Sequence, residues 1–271
     1  VIVDREFEEK TRSFNCSKDY FDFFKKNRIL IDQNQRKEFI RKEIQKNVNK
    51  LNLVTTIDEN LLEEVTNLVE SPSLINCTFN EKFLEIPEEI LATTMKNHQK
   101  YFFTKNRKNE ITNNFFLVSN KVDTKGFIKS GNERVIDARF SDANFFWQKN
   151  KKSNLLKQIA NLKKVNYFKN LGSYYNKITR MRKLGSIISD ELLISKEKIE
   201  IASSICKVDL MSDIVAEFPE LQGVMGGYFA REQGFDEEIS LAVSEHYLPS
   251  GNDSKVPKKP YSIALSLSDK I

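Results

Sequence analysis

The hydrophobic period of the chain changes near Ser119, and that change limits the fold more than any other feature. Apolar residues recurring every 3.6 positions mark a helix, whereas alternation marks a half-buried strand. Upstream of Ser119 both patterns occur. Residues 19–24 read as a short helix and 28–31 as a strand. Asp32 then caps a charged helix over 33–51 with Phe39, Ile40, Ile44 and Val48 at helical spacing. Asp58 caps a second helix carrying Leu61, Leu62, Val65, Leu68 and Val69. Residues 73–79 mix apolar and β-branched side chains as a strand does, and Pro87 suits the first turn of a helix over 87–97. Candidate strands at 100–105 and 114–119, joined by a polar turn around 106–110, read as a hairpin.

Downstream the pattern is helical throughout: 131–149, 153–162, 176–193, 195–218, 222–231, 237–246, and from Tyr261 onward. Pro219, Gly223, Gly226, Gly227, Gly234 and the loop 249–260 punctuate these helices. The expected fold class is therefore α+β, a small sheet-containing N-terminal module followed by an all-α half. We place the domains at 1–150 and 151–271, a division in keeping with 271 residues. A chain that starts at Val1 and stops at Ile271 inside a helical pattern reads as an internal fragment. No apolar run approaches the ~18 residues of a membrane span, which makes a cytoplasmic protein the simplest expectation. Cys16, Cys77 and Cys206 are odd in number and lack CxxC spacing, so they read as reduced, mostly buried thiols.

Charge is segregated. Between Asp142 and Asp190 there is no acidic residue, while Lys149, Lys151, Lys152, Lys157, Lys163, Lys164, Lys169, Lys177, Arg180, Arg182 and Lys183 all fall there. From Asp190 to Asp253 the sign reverses. Clustered cations displace counterions from a polyanion, and interleaved aromatics, here Tyr167, Phe168, Tyr174 and Tyr175, add stacking surfaces. The same composition also describes a solvated helix surface with its aromatics turned inward.

Three runs carry a family resemblance. They are Phe83-Leu84-Glu85-Ile86-Pro87-Glu88-Glu89-Ile90-Leu91 continuing to Thr94-Met95-Lys96-Asn97-His98-Gln99-Lys100-Tyr101-Phe102; Ser130-Gly131-Asn132-Glu133-Arg134-Val135 with Ala138-Arg139-Phe140-Ser141-Asp142-Ala143; and Glu217-Phe218-Pro219-Glu220-Leu221-Gln222-Gly223-Val224-Met225-Gly226. In order and content they resemble the β subunit of bacterial glycyl-tRNA synthetases. The resemblance implies a non-catalytic part of a glycine–tRNA ligase that positions tRNA(Gly) and assembles with an α subunit as α2β2. In that family the α subunit uses ATP and Mg2+, and no cofactor is implied here. The absence of GxxxxGK[ST] and GxGxxG motifs agrees with this. The first module resembles sheet-containing modules that synthetases place near tRNA-binding or editing regions.

Candidate RNA contacts follow. Lys96 and Lys100 can meet phosphate at a helix-to-strand junction, and Gln99 can hydrogen-bond a base or ribose. Arg134 and Arg139 can bind phosphate bidentately or pair with Glu133, Asp137 and Asp142. In the basic block Lys163, Lys164, Arg180 and Arg182 complete the set.

The helical half also resembles the HD superfamily of metal-dependent phosphohydrolases, which supplies an alternative function. Such enzymes hold a divalent cation with His and Asp ligands. At the corresponding places stand Lys207-Val208-Asp209 and Ser268-Asp269-Lys270, with His246 where further ligands occur. The histidine of the pair is replaced by Val208, so Asp209, His246 and Asp269 are expected to form a degenerate site with no metal.

Overall fold

The protein is described by a computed structural model covering residues 13–252 and 254–271. A division between Phe140 and Ser141 separates two compact units.

The first unit is built on a three-stranded antiparallel sheet. Helices α1 (Ser17–Lys26), α2 (Gln33–Lys50) and α3 (Glu59–Leu68) precede strand β1 (Ser73–Thr78). Asp32 and Asp58 cap α2 and α3 by accepting the amides of Gln35 and Leu61, as the sequence suggests. After α4 (Glu88–Thr93), a single π-helical turn, Thr94–His98, leads to the hairpin of β2 (Phe102–Lys105) and β3 (Ile111–Ser119). Strand order is β1-β3-β2, with Ser73 opposite Ser119 and Thr78 opposite Asn114.

Alternation along the sheet sends Phe102 and Phe116 to one face, where they pack with Ile40, Ile44, Val48, Leu61, Leu62 and Val65 of α2 and α3. An aromatic set follows Phe115: Tyr101 stacks on it at 4.8 Å and Phe79 lies at 6.4 Å. Phe79 in turn meets Phe140 edge-on at 4.8 Å. Phe140 belongs to α5 (Phe127–Asn150), whose first turn is capped by the Asp123 carboxylate accepting the Lys129 amide at 2.8 Å.

Residues 28–31 are not a strand. Arg28 has a positive φ of 58°, and the Arg36 guanidinium donates to the carbonyls of Leu30 and Ile31 at 2.6 and 2.8 Å. Those carbonyls are thereby taken by a side chain instead of a ladder.

The second unit is a bundle with a small hairpin at one side. It contains α6 (Leu155–Gln158), β4 (Asn166–Phe168), β5 (Gly172–Ser173), α7 (Tyr174–Glu191), α8 (Lys196–Ile205), α9 (Asp213–Glu217), α10 (Val224–Glu232), α11 (Glu237–Glu245) and α12 (Pro260–Lys270). Helical periodicity does not reveal the β4–β5 hairpin, so this half is not wholly helical. Nor is 195–218 one helix. It breaks at a 3-10 turn, Val208–Met211, where Ser212 donates to the Asp209 carbonyl at 2.6 Å and caps α9 by accepting the Val215 amide at 3.2 Å. The 153–162 segment likewise passes from α6 into a 3-10 turn, Ile159–Lys164.

Helices α10 and α11 approach closely because Gly227 has no side chain. A Cβ there would lie 2.7 Å from Ser244 Cβ and 2.8 Å from the Ser240 carbonyl. We expect Gly227→Ala to destabilise the protein by about 1–3 kcal/mol through overpacking. Gly131→Ala, in the α5 interior with open space around it, should stabilise by about 0.5–1 kcal/mol. Urea midpoints of the two variants moving the same way would contradict this account.

Candidate nucleic-acid interface

In the first unit, Lys96 pairs with Asp58 and Lys100 with Glu64 at 2.9 Å, so both are engaged within the unit. Gln99 is half-buried just before Lys100, which holds a positive φ of 59°. Arg134 and Arg139 are exposed and make no ion pair with a described residue; Arg134 Nε reaches only the Ser130 carbonyl, at 3.4 Å. Two of the carboxylates expected beside them serve the backbone instead. Glu133 accepts the Thr78 amide at 2.8 Å and Asp137 accepts the Asn80 amide at 3.2 Å.

In the second unit the basic block folds into one local structure. The Ile159–Lys164 turn runs into β4, the β4–β5 hairpin turns back, and α7 starts at once with Ser173 and Asn176 forming a reciprocal capping box. Tyr174 donates its amide to the Val165 carbonyl at 2.9 Å, and Arg180 donates to the Leu171 carbonyl at 3.1 Å, which fastens the hairpin to α7. Strand alternation turns Tyr167 toward Tyr174, at 5.3 Å between rings, and turns Phe168 outward. Lys163 lies 4.8 Å above the Tyr175 ring.

The block is not uniformly available. Lys149 pairs with Asp213 at 2.9 Å and Arg182 with Glu200 at 3.5 Å, while Lys177 is buried against Asp269. Lys164, Lys169 and Lys183 are exposed and make no ion pair with a described residue. With Lys163 and Arg180, they are the cations of this surface that remain for a polyanion.

Behind α7 lies a buried polar centre. Lys207, 2% exposed, places its ammonium 2.9 Å from Asp269 Oδ1 and 3.7 Å from the centre of the Tyr247 ring. Lys177 reaches the same oxygen at 3.5 Å. Asp209 Oδ2 accepts the amides of Gly223 and Gly226, while its Oδ1 has no partner. His246 shares its Nδ1 with the Val243 carbonyl at 2.6 Å and leaves Nε2 without a partner. The Gly-x-x-Gly spacing is thus explained locally. Gly223 adopts φ 82°, and a Cβ on Gly226 would sit 3.3 Å from the Asp209 carboxylate.

Burial pushes the Asp209 carboxyl up to about 6, against the pull of the two glycine amides and the Lys207 charge. Burial, reinforced by Lys207, pushes the His246 imidazole down to about 3. For Asp269 burial, the largest single effect, acts upward, but the lowering influences led by Lys207 and joined by Lys177 together outweigh it, and the carboxylate lies below its ordinary range.

These residues do not fit the divalent cation that the hydrolase resemblance implies. Asp269 Oδ1 faces two ammonium groups, Asp209 Oδ2 is taken by backbone amides, and Lys207 repels any cation approaching the remaining Asp209 Oδ1 and His246 Nε2. Among the described residues no group of three or more His, Cys, Asp or Glu is arranged to hold a metal. Lys207, Lys177 and Tyr247 define this centre. The sequence points to them only through the adjacency of Lys207 and Asp209.

The two shifted groups oppose each other with pH. Asp209, raised from 3.8, contributes stability that is full below pH 3.8 and lost as pH rises through 6. His246, lowered from 6.5, contributes stability present above pH 6.5 and lost as pH falls toward 3. Between them the folded chain holds one proton on Asp209 and the unfolded chain one on His246, so the effects cancel. Asp209→Asn should expose the histidine alone: relative to wild type, stability should fall by about 3 kcal/mol between pH 6.5 and 4. Parallel urea-midpoint profiles for wild type and variant would refute this.

Residues 2–271 match the family described as glycyl-tRNA synthetase beta subunit. The chain is 41% identical over 245 residues to the glycine–tRNA ligase beta subunit of Thermodesulfovibrio yellowstonii, covering 90% of this chain and 36% of the relative. Against the beta subunit of Clostridioides difficile it is 39% identical over 269 residues, covering 97% and 38%. Against that of Geotalea uraniireducens it is 38% identical over 254 residues, covering 93% and 37%. The chain thus spans little more than a third of the length of these curated relatives. With its whole described length aligned and identities near 40%, the chain belongs to the glycyl-tRNA synthetase beta subunit family.

Proposed function

We propose that this chain is the RNA-positioning and subunit-assembly part of a two-subunit glycine–tRNA ligase. Glycine activation with ATP and Mg2+ takes place on a separate α subunit in an α2β2 cytoplasmic enzyme, and the tRNA is tRNA(Gly). The observation that carries this reading is the surface formed by α7 and the β4–β5 hairpin. On it Lys163, Lys164, Lys169, Arg180 and Lys183 project from one braced support, in a chain of this family.

The chemistry of the buried centre agrees with a positioning role. Its imidazole, pushed down to about 3, is a weak base, and Asp269 and one oxygen of Asp209 are committed to ammonium groups or backbone amides, so the centre is poorly suited to general-base or metal-assisted chemistry. The helical unit then serves as a scaffold of HD-like descent. Orientation of a bound RNA contributes to rate by holding reactants in place, and needs no nucleophile on the scaffold.

The test uses the assembled two-subunit enzyme carrying Lys164→Glu and Lys183→Glu. Neither side chain makes an ion pair with a described residue, so the fold should tolerate the change. Reversing two phosphate-facing charges should raise KM for tRNA about tenfold or more and flatten the salt dependence of binding. Glycine-dependent ATP–pyrophosphate exchange should be unchanged. An unaltered KM and salt slope would remove RNA from this surface, and glycylation by the α subunit alone at the full rate would remove the positioning role.

A further inference from the structure

Within the basic surface, Phe168 stands out chemically. It is 67% exposed, although β4 and β5 have a packed side available, which Tyr167 occupies. Leu171 of the same turn is also exposed, so the braced hairpin presents an apolar tip within the basic surface.

The hairpin is well held. Leu171 donates its amide to the Phe168 carbonyl at 3.0 Å, and Arg180 fixes the Leu171 carbonyl. Asn170 and Gly172 take positive φ of 67° and 82° at the turn, and the space a Gly172 Cβ would need is filled by the Asn176 side chain at 2.7 Å. The ring is therefore presented at a defined place. Beside it runs an open groove of about 600 Å³ lined by Asn166, Phe168, Lys169, Asn170 and Gly172.

We propose that Phe168 is a stacking platform for an unpaired base of a bound RNA, with Asn166 and Asn170 facing the base edge and Lys169 its phosphate. The proposal rests on the RNA reading of this surface and specifies which feature of the RNA it takes. An aromatic face accepts any base, while amide side chains both donate and accept hydrogen bonds. Charge decides the class of occupant: Lys169 lines the groove, Arg180 is fastened to the same hairpin through the Leu171 carbonyl, and no acidic residue occurs in the sequence between Asp142 and Asp190. In a duplex the base faces are covered by their neighbours, so a paired RNA gains nothing from the ring.

In the complete protein, binding of a labelled single-stranded oligouridine and of a blunt RNA duplex is compared for wild type, Phe168→Ala, Phe168→Trp and Lys164→Glu with Lys183→Glu. Phe168→Ala should weaken the single strand about tenfold and spare the duplex, leaving the salt slope intact. Phe168→Trp should restore affinity, and its solvent-exposed indole emission should be quenched by the single strand and not by the duplex. Native Trp147 is buried and does not share that signal. If charge reversal weakens RNA binding while Phe168→Ala changes nothing, or weakens both RNAs alike, the stacking role is overturned and the RNA surface stands. If neither substitution affects RNA, both readings fall. Quenching by an acidic polypeptide equal to that by the single strand would also overturn the proposal and make the groove a protein-docking site.

Discussion

The second unit depends on keeping a lysine ammonium out of water. Lys207 is all but inaccessible, and an uncompensated buried charge of that kind costs several kcal/mol. Asp269 supplies the counter-charge at 2.9 Å from the last turn of α12, and Lys177 of α7 reaches the same oxygen. One carboxylate thus ties the segment following α8, the helix α7 and the helix α12 to a common point. The next residue continues the closure. Lys270 donates to the carbonyls of His246, Tyr247 and Leu248 at 3.3, 3.2 and 2.9 Å, satisfying groups that the end of α11 leaves without helical partners. Replacing this centre with apolar residues need not cost stability, but removing one partner alone would strand the others.

The same tie sets the outer surface. Helix α7 buries Lys177, Ile178, Met181, Gly185 and Ser189 and exposes Thr179, Arg180, Arg182 and Lys183. Because Lys177 is anchored to Asp269, α7 is fixed in rotation, and Arg180 is fixed with it. Arg180 then holds the Leu171 carbonyl, and the hairpin with its outward Phe168 follows. Side chains that must meet a ligand at a defined distance gain from such a chain of supports, since less motion is lost on binding.

The parts legible in the sequence are those governed by local chemistry. Asp32 and Asp58 cap because their carboxylates reach amides three residues on, and the β2–β3 hairpin follows from alternation around a polar turn. Residues 28–31 depart from the expected strand because Thr66, distant in sequence, holds the Arg36 guanidinium where it takes the Leu30 and Ile31 carbonyls. The β4–β5 hairpin escapes periodicity because strands of three and two residues are too short to show one. The candidate site divides in the same way. Clustering of Lys and Arg is visible along the chain, but its sorting is not. Lys177, Arg182, Lys96 and Lys100 find carboxylates that only the fold brings near, whereas Lys164 and Lys183 do not. Nor does the sequence say that Lys207 faces Asp269, a pairing across the bundle.

The segregation of charge becomes an orientation device once the helix neighbours are known. Helix α7 packs on α8 and α12, α8 packs on α11, and α11 packs on α10, so the basic hairpin and α7 begin a series that leads to the acidic α11. Along it the few cations are consumed: Lys196 by Asp190, Lys198 by Asp236 and Glu238, and Arg231 by Glu237. At the border Arg182 meets Glu200. A polyanion approaching this unit is attracted at the α7 end and repelled from the α10–α11 end before any specific contact forms, which biases the encounter toward one face. That bias acts through solvent and weakens with salt, whereas stacking on an aromatic ring does not depend on ionic strength in the same way. On the proposed RNA reading, long-range charge and a fixed aromatic surface therefore divide the work, the first bringing a strand to α7 and the second setting its register there.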